Sequence, residues 1–151
     1  MKEKPVRAWA LIFCTANLKS EESAVKNIAI SENHLYKKVY AKGDKVFCKH
    51  IVVYVLTDYH AARLARANPL KTKVNRVGIT VSKKLGKAVV RSRVRRIIRE
   101  AYRIIQTEEN LKKGKLIVIV GREAAVDAKS TDVEKDMRYA FAKLGMIGEE
   151  I

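Results

Sequence analysis

The chain has few of the residues that build disulfide scaffolds, metal centres or membrane spans. It contains two cysteines, Cys14 and Cys48, which suit neither a secreted disulfide scaffold nor a clustered metal site. The three histidines are scattered, so no zinc site is expected, and any other metal site is left open. The longest apolar run near the N-terminus, residues 8–14, has seven residues, whereas a membrane span needs about twenty. We therefore expect a cytoplasmic protein that does not bind membranes.

Groups that could hydrolyse a phosphodiester are also missing from the sequence pattern. No histidine pair is spaced for acid-base cleavage, and no carboxylate cluster suits two magnesium ions. The chain alone is therefore expected to be inactive as a nuclease. A self-sufficient endonuclease is a lesser alternative, and cleavage by the protein alone in magnesium would support it.

Acidic residues are scarce compared with basic ones. The chain has 16 Asp and Glu against 32 Lys and Arg, a formal charge of +16. Residues 71–103 hold twelve of the basic residues and one acid, Glu100, which gives this stretch a charge of +11. A solvated surface could carry such charge, but its concentration in one segment favours a polyanionic partner.

The basic segment begins with a predicted strand and a lysine-rich turn. Residues 76–82 alternate in polarity, which predicts a half-buried strand with Val77, Ile79 and Val81 inward and Gly78 outward. Backbone N–H groups of the turn and of the following helix start would add to its positive charge. The turn lysines are Lys83, Lys84 and Lys87.

The helix predicted after this turn separates its arginines from its apolar residues. At about 100° per residue, Arg95, Arg96, Arg99 and Arg103 fall within an arc of about 140°, and Arg93 lies between the two faces. Guanidinium groups on a rigid helix can form forked hydrogen bonds to phosphate oxygens. The opposite, apolar face is predicted to be Val90, Val94, Ile97, Ile98, Ala101, Ile104 and Ile105.

Residues 76–96 read RVGITVSKKLGKAVVRSRVRR, which resembles the signature of the protein subunit of bacterial ribonuclease P. The resemblance extends through HLYKKVYAKG at 34–43, IVVYVL at 51–56 and KLIVIVGREAA at 115–125, so that it covers roughly residues 31–145. It implies an accessory subunit of an endoribonuclease whose separate RNA subunit removes the 5′ leader of precursor transfer RNA. It further implies that the holoenzyme requires magnesium and that the protein lowers this requirement, has no tightly bound cofactor and needs no protein partner.

The resemblance assigns the basic turn and helix to the RNA subunit. Where the family usually has Arg-Asn-Arg, this chain has Arg91, Ser92 and Arg93. Serine can cap a helix or donate a hydrogen bond, but it lacks the second donor of the amide, so its effect is open. The residues expected to bind the RNA subunit are Lys83, Lys84, Lys87, Arg91, Ser92, Arg93, Arg95, Arg96 and Arg99.

Three tyrosines are the candidates for binding the leader. Tyr36 and Tyr40 lie four residues apart on a predicted helix, and Tyr54 lies on the following strand, so all three could face one groove. From the residues alone, packing of these tyrosines in the core is as well supported as a binding groove. The resemblance implies a cleft in which single-stranded leader bases stack on these rings, a contact worth roughly 1–3 kcal/mol per base. The main alternative function, a ribosomal or other structural RNA-binding protein, does not require such a cleft.

The predicted fold is α+β, a single-domain αβββαβα sandwich of the ribosomal-protein-like type. Ser31 is the expected N-cap of a first helix that Gly43 ends, and residues 59–72 could contain a helical turn. Strands are expected near residues 46–57, 76–82 and 115–120. Thr131 with Glu134 predicts a capping box for an amphipathic last helix. The resemblance implies a four-stranded mixed sheet with a left-handed βαβ crossover, although such units are right-handed in nearly all cases.

The predicted domain covers residues 28–147. Residues 1–27 form an N-terminal extension outside the resemblance, and residues 148–151 form a short tail. We interpret the extension as an upstream start assignment, with Val25 as the natural start. An intact mass of the native protein that includes Met1 to Ala24 would contradict this interpretation.

Overall fold

Helices separate most of the strands along the chain. The computed structural model describes residues 28–67 and 75–147, so the N-terminal extension, the start at Val25 and the tail lie outside the described residues. The elements in chain order are β1 (Ile28–Ala29), α1 (Asn33–Lys42), β2 (Asp44–Phe47), β3 (Ile51–Thr57), α2 (Tyr59–Ala67), β4 (Arg76–Val81), α3 (Ala88–Glu108), β5 (Lys115–Gly121) and α4 (Ser130–Lys143), with 3-10 turns at Lys83–Leu85 and Glu123–Val126.

The strands form one mixed sheet in the order β1-β4-β5-β3-β2. β4 is parallel to both β1 and β5, whereas β3 is antiparallel to both β5 and β2. The α+β prediction is confirmed, but the sheet has five strands rather than four because Ile28–Ala29 pairs with the free edge of β4. β4 and β5 are parallel neighbours connected through α3, which is the expected crossover. Its left-handedness stays a prediction.

Both faces of the sheet are covered, which explains why β3 and β5 are almost continuously apolar. Val53, Ile117 and Ile119 face a large core shared with α3 and α4. Leu116 and Val118 face a smaller core beneath α1. The expectation that Gly78 faces outward is therefore wrong, because α1 covers that side of β4 and Gly78 is buried.

The helices bury the apolar stripes that their periodicity predicts. α4 buries Val133, Met137, Ala140 and Phe141, as expected. α3 buries part of its predicted face, and it also buries Tyr102, which the pattern did not predict. The fully or largely buried residues of α3 are Val94, Ile98, Ala101, Tyr102 and Ile105.

Two of the predicted helix caps are wrong. Glu32, rather than Ser31, occupies the N-cap of α1, without a side-chain cap. α4 begins at Ser130, and its first turn is closed by the Asp132 carboxylate, which accepts the Lys129 N–H at 3.3 Å. The N-cap is therefore Lys129, two residues before the predicted Thr131. Gly43 ends α1 as predicted, since its N–H donates to the Val39 carbonyl at 2.8 Å.

Residues 46–57, where strand was predicted, form a hairpin of β2 and β3. The connection is held by α4, because the His50 N–H donates to the Asp136 carboxylate at 2.9 Å and His50 Nδ1 lies 2.8 Å from the same oxygen. Arg122 supports the turn from β5 by donating to the Cys48 carbonyl at 2.8 Å. The helical turn expected after residue 59 is the complete helix α2.

Candidate RNA interface

The predicted RNA-binding arginines lie along the first three turns of α3. Arg93, Arg96 and Arg99 are exposed, and Arg91 and Arg95 are half-buried. Within the described residues none of these five forms an ion pair, although three other arginines do. The Nε atom of Arg91 is buried and has no hydrogen-bond partner there. Together these guanidinium groups form a cationic surface whose donors are available to an anion.

The lysine turn leads directly into this helix. Lys83, Lys84 and Lys87 are all exposed, and the turn is closed by Ser82 Oγ, which accepts the Lys84 N–H at 3.3 Å. Lys87 is the N-cap of α3, and the helix has no side-chain cap and no acid in its first turn. The dipole of a 21-residue helix therefore adds to the positive charge at this end.

Ser92 lies inside α3 rather than at its start. Because the helix begins at Ala88, Ser92 belongs to the second turn, and its side chain is exposed. The interpretation that Ser92 could cap this helix is therefore wrong. Ser92 presents one exposed hydroxyl group between Arg91 and Arg93.

The three tyrosines lie together on the α1 face of the sheet. Tyr36 Oη donates to the Ile30 carbonyl at 3.2 Å, and Tyr40 Oη donates to Thr80 Oγ1 at 3.4 Å. The rings of Tyr40 and Tyr54 meet edge to face with centroids 5.0 Å apart. Tyr36 and Tyr54 also pack on the small core, whereas Tyr40 is 42% exposed. The group (Tyr36, Tyr40 and Tyr54) is called the tyrosine cluster below.

Gly78 permits Tyr36 to lie directly on β4. A Cβ atom at this position would lie 2.5 Å from Tyr36 Oη and 2.8 Å from its Cε1. Both distances are too short for a real contact, so any side chain at position 78 would displace the ring. Burial, together with the nearby Tyr40, raises the pKa of Tyr36 and keeps it neutral.

A cavity of about 540 Å³ connects the arginines to the tyrosine cluster. It lies between α3 and the β1–β4 edge of the sheet. Arg95, Arg99 and Arg103 form one wall, and Tyr36 forms part of another. Tyr102 also lines the cavity, and burial raises its pKa to about 12, so its hydroxyl is neutral. Tyr36 of the tyrosine cluster thus lines the same cavity as Arg95 and Arg99, two of the predicted RNA-binding arginines.

Two exposed residues next to the tyrosine cluster were not predicted as site residues. Phe47 on β2 is 62% exposed, and Lys45 Nζ lies 5.5 Å from the centroid of its ring. The alternation of side-chain direction along β2 is the sequence signal that could have identified them. Val46 and Cys48 are apolar and point to the large core. Phe47 and Lys45 must then point to the other face of the sheet, which is the face of the tyrosine cluster.

Metal-binding clusters and membrane-spanning helices are both absent from residues 28–67 and 75–147. In these ranges no group of three or more histidine, cysteine or acidic side chains is placed to hold a metal ion. No helix in the same ranges is long and apolar enough to cross a membrane.

Comparison with known proteins identifies the family. A family model described as Ribonuclease P matches residues 25–145. The ribonuclease P protein component of Clostridium acetobutylicum is 37% identical over 123 residues, which cover 82% of this chain and 93% of that protein. The corresponding protein of Clostridioides difficile is 39% identical over 103 residues, covering 68% and 79% of the two chains.

Solved structures agree with this assignment. The ribonuclease P protein of Staphylococcus aureus aligns with a TM-score of 0.64 at 25% identity, covering 82% of this chain and all of that one. The Thermotoga maritima protein shares the fold, with a TM-score of 0.56 at 19% identity, over 76% of this chain and 93% of the other. The family model matches residues 25–145, and the sequence and fold matches each cover 82% of the chain, so the chain belongs to the family of bacterial ribonuclease P protein components.

Proposed function

We propose that this subunit binds the ribonuclease P RNA through the basic turn and α3, and binds the 5′ leader of precursor transfer RNA on the tyrosine cluster. The RNA subunit carries out the hydrolysis with magnesium in the cytoplasm. The protein supplies binding and positioning, and it lowers the magnesium concentration that cleavage requires. The observation that carries this proposal is the cavity in which Tyr36 and the arginines of α3 meet.

The arginines support the first half of the proposal. Arginines without carboxylate partners leave their N–H groups free for phosphate oxygens, and the guanidinium fork matches that geometry. Arg91, Arg95 and Arg99 occur four residues apart on one rigid helix. A folded nucleic acid backbone can therefore contact several of them at once, and each contact releases condensed counterions.

The tyrosine cluster supports the second half. The rings of Tyr36 and Tyr54 are held in place, because the Tyr36 hydroxyl donates a hydrogen bond to the Ile30 carbonyl and Tyr54 packs on the small core. Tyr40 is the exposed ring and stands against Tyr54. A base that stacks on Tyr40 meets a surface that is already ordered, so binding loses little conformational entropy. A single-stranded leader suits this surface because its bases are unpaired.

The shared position of Tyr36 relates the two contacts. The leader ends at the phosphodiester that the holoenzyme cleaves, so the surface that binds the leader should adjoin the surface that binds the catalytic RNA. In this protein Tyr36 belongs to the tyrosine cluster and also lines the cavity to which Arg95 and Arg99 contribute. Fixed cations at this junction would replace part of the diffuse magnesium that otherwise screens the phosphates.

Reconstituted cleavage tests the proposal. A bacterial ribonuclease P RNA is incubated with a precursor transfer RNA at low millimolar magnesium, with the protein, without it, and with the protein alone. We expect mature 5′ ends only when both subunits are present, and RNA-only cleavage to recover at higher magnesium. Unchanged cleavage on adding the protein would contradict the accessory role, and cleavage by the protein alone would contradict the assignment of hydrolysis to the RNA.

A substitution separates leader binding from binding of the RNA subunit. Tyr40→Ala should weaken the affinity of the holoenzyme for precursor transfer RNA by about tenfold, the equivalent of one lost base stack. Its affinity for mature transfer RNA, which has no leader, should be unchanged. Equal losses for the two substrates would mean that Tyr40 does not contact the leader.

A further inference from the structure

The α1 face of the sheet continues past the tyrosine cluster to the edge strand β2. Lys45 is the register partner of Tyr54, and Phe47 is the partner of Val52, two residues before Tyr54. Phe47 is thus a diagonal neighbour of Tyr54 across the two strands. Such neighbours are typically about 7–8 Å apart, within reach of aromatic side chains.

One row of paired residues in the sheet extends from Phe47 back towards the tyrosine cluster. The register continues from Val52 to Val120 on β5 and then to Thr80 on β4. Thr80 Oγ1 accepts a hydrogen bond from the hydroxyl of Tyr40. Phe47 and the hydroxyl of Tyr40 therefore lie on the same row of paired residues, with Val52 and Val120 between them.

Exposure of a ring beside a lysine does not by itself identify a binding site, because single exposed apolar residues are common. Tyr139 on α4 shows this, since it is 59% exposed and Lys143 Nζ lies 5.8 Å from its ring centroid. Tyr139 is on α4, which packs on the opposite face of the sheet from α1. What distinguishes Phe47 is its position on the face of the tyrosine cluster.

We propose that Phe47 is a fourth stacking site for a base of the single-stranded leader, and that Lys45 contacts an adjoining phosphate. The proposal rests on the proposed function of the tyrosine cluster and extends it by one position towards β2. An aromatic ring accepts any base, so this site adds affinity with little sequence preference. It also predicts that the protein gains affinity from leaders long enough to reach the edge strand.

The test measures the affinity of the holoenzyme for precursor transfer RNAs whose leaders are one to eight nucleotides long. For the wild type, affinity should rise with leader length until the leader passes Phe47. For Phe47→Ala the rise should stop at a shorter length, with about five- to tenfold weaker binding of the longest leader. Binding of the one-nucleotide leader should not change.

Matched variants make the result specific. Tyr139→Ala removes an equally exposed ring beside a lysine and should leave every affinity unchanged. Phe47→Leu retains an apolar side chain on the edge strand without a flat ring, and it should lose affinity as Phe47→Ala does, whereas Phe47→Tyr should retain it. Thermal unfolding of each variant shows whether the fold is intact.

The outcomes separate this inference from the proposed function. If Tyr40→Ala weakens leader binding while Phe47→Ala and Phe47→Leu bind every leader like the wild type, Phe47 is not a stacking site although the tyrosine cluster is one. If Tyr40→Ala also has no effect, the leader does not bind this face at all. A loss in Phe47→Ala that is equal for all leader lengths would likewise overturn the proposal.

Discussion

The two ends of α3 differ in whether their charged side chains form ion pairs. In its first three turns, Arg91, Arg95 and Arg99 have no carboxylate partner within the described residues. At its end, Glu108 and Glu109 both bind Arg138 of α4, which also binds Glu134 at 2.8 Å. One end of the helix uses charge to hold its neighbour helix, and the other end leaves charge available to a partner.

The same contrast holds for other arginines of the described residues. Arg76 is paired with the buried Asp58, with Nε 2.7 Å from the carboxylate. Arg103 is paired with Glu100 by two hydrogen bonds of 3.3 and 2.8 Å. Paired cations have their attraction satisfied inside the fold, whereas unpaired cations on one helix repel one another until a polyanion binds. Substitutions in the two groups should therefore change different properties.

The largest effect is expected for Asp58→Asn, in the paired group. Asp58 is 2% exposed, and it also accepts the N–H groups of His60 and Ala61 at the start of α2. Removing its charge leaves the largely buried guanidinium of Arg76 unpaired, and breaking a buried pair costs about 3 kcal/mol. Urea denaturation at pH 7 should show this loss. The exposed Asp127→Asn is the control and should unfold like the wild type.

The Asp58 pair also predicts a pH dependence. Burial raises the pKa of Asp58, but hydrogen bonds from Arg76, Ala61 and His60 outweigh it and hold the pKa below its ordinary value. The carboxylate therefore contributes stability above about pH 4, and this contribution is lost as the pH falls through the lowered pKa. Denaturation between pH 2 and 5 should show a steeper loss for the wild type than for Asp58→Asn. Parallel curves would mean that Asp58 does not control this transition.

The second prediction concerns the unpaired group. Arg95→Ala with Arg99→Ala should weaken binding to the ribonuclease P RNA by about 100-fold, since each lost charged hydrogen bond costs about 1.5 kcal/mol. The slope of log affinity against log salt should decrease by somewhat less than about two units. The stability of the free protein should not decrease, because only like charges are removed.

The control for this double substitution removes the same charge elsewhere. Lys113 and Lys135 are exposed and lie outside the basic turn and α3. Their replacement by alanine should leave most of the affinity and of the salt slope in place. If both double variants lose affinity equally, the RNA responds to net charge rather than to the surface of α3.

The third prediction tests the charge cluster at the end of α3. Arg138→Ala leaves three carboxylates, of Glu108, Glu109 and Glu134, close together without their cation. The Arg138 side chain is 29% exposed, so screening reduces the loss of stability to about 1–2 kcal/mol. Thermal or urea unfolding measures this loss, with Lys135→Ala as the control. A reduced salt slope of RNA binding would contradict the division of the arginines into two groups.

Much of the interface followed from periodicity in the sequence. The arc of arginines on α3 and the apolar face opposite it depend only on helical geometry, which the packing of α3 preserves. The tyrosine cluster required the relative placement of α1 and β3, which the family resemblance supplied and residues alone left open. Pairing of individual charges was beyond prediction, since Arg138 meets Glu108 and Glu109 across about thirty residues of chain.

The errors have local physical causes. β1 is two residues long, too short for alternation to be visible, and it forms because β4 offers an unpaired edge. Gly78 was placed outside because a period of two does not reveal a helix that covers the second face. Phe47 was missed because strand was predicted over residues 46–57 without a turn position, and the alternation of the four-residue β2 is visible only once its ends are known.

The smallest predicted effect comes from converting a paired arginine into an unpaired one. Glu100→Gln removes the carboxylate that holds Arg103, an arginine that already lines the cavity with Arg95 and Arg99. The pair is exposed, so the stability of the fold should hardly change. The freed guanidinium can then contact a phosphate, and we expect affinity for the ribonuclease P RNA to rise about threefold, with a salt slope steeper by less than one unit. Glu123→Gln adds the same charge away from α3 and should have a smaller effect on both. If the two variants gain equally, the position of Arg103 is irrelevant and its pairing with Glu100 does not limit RNA binding.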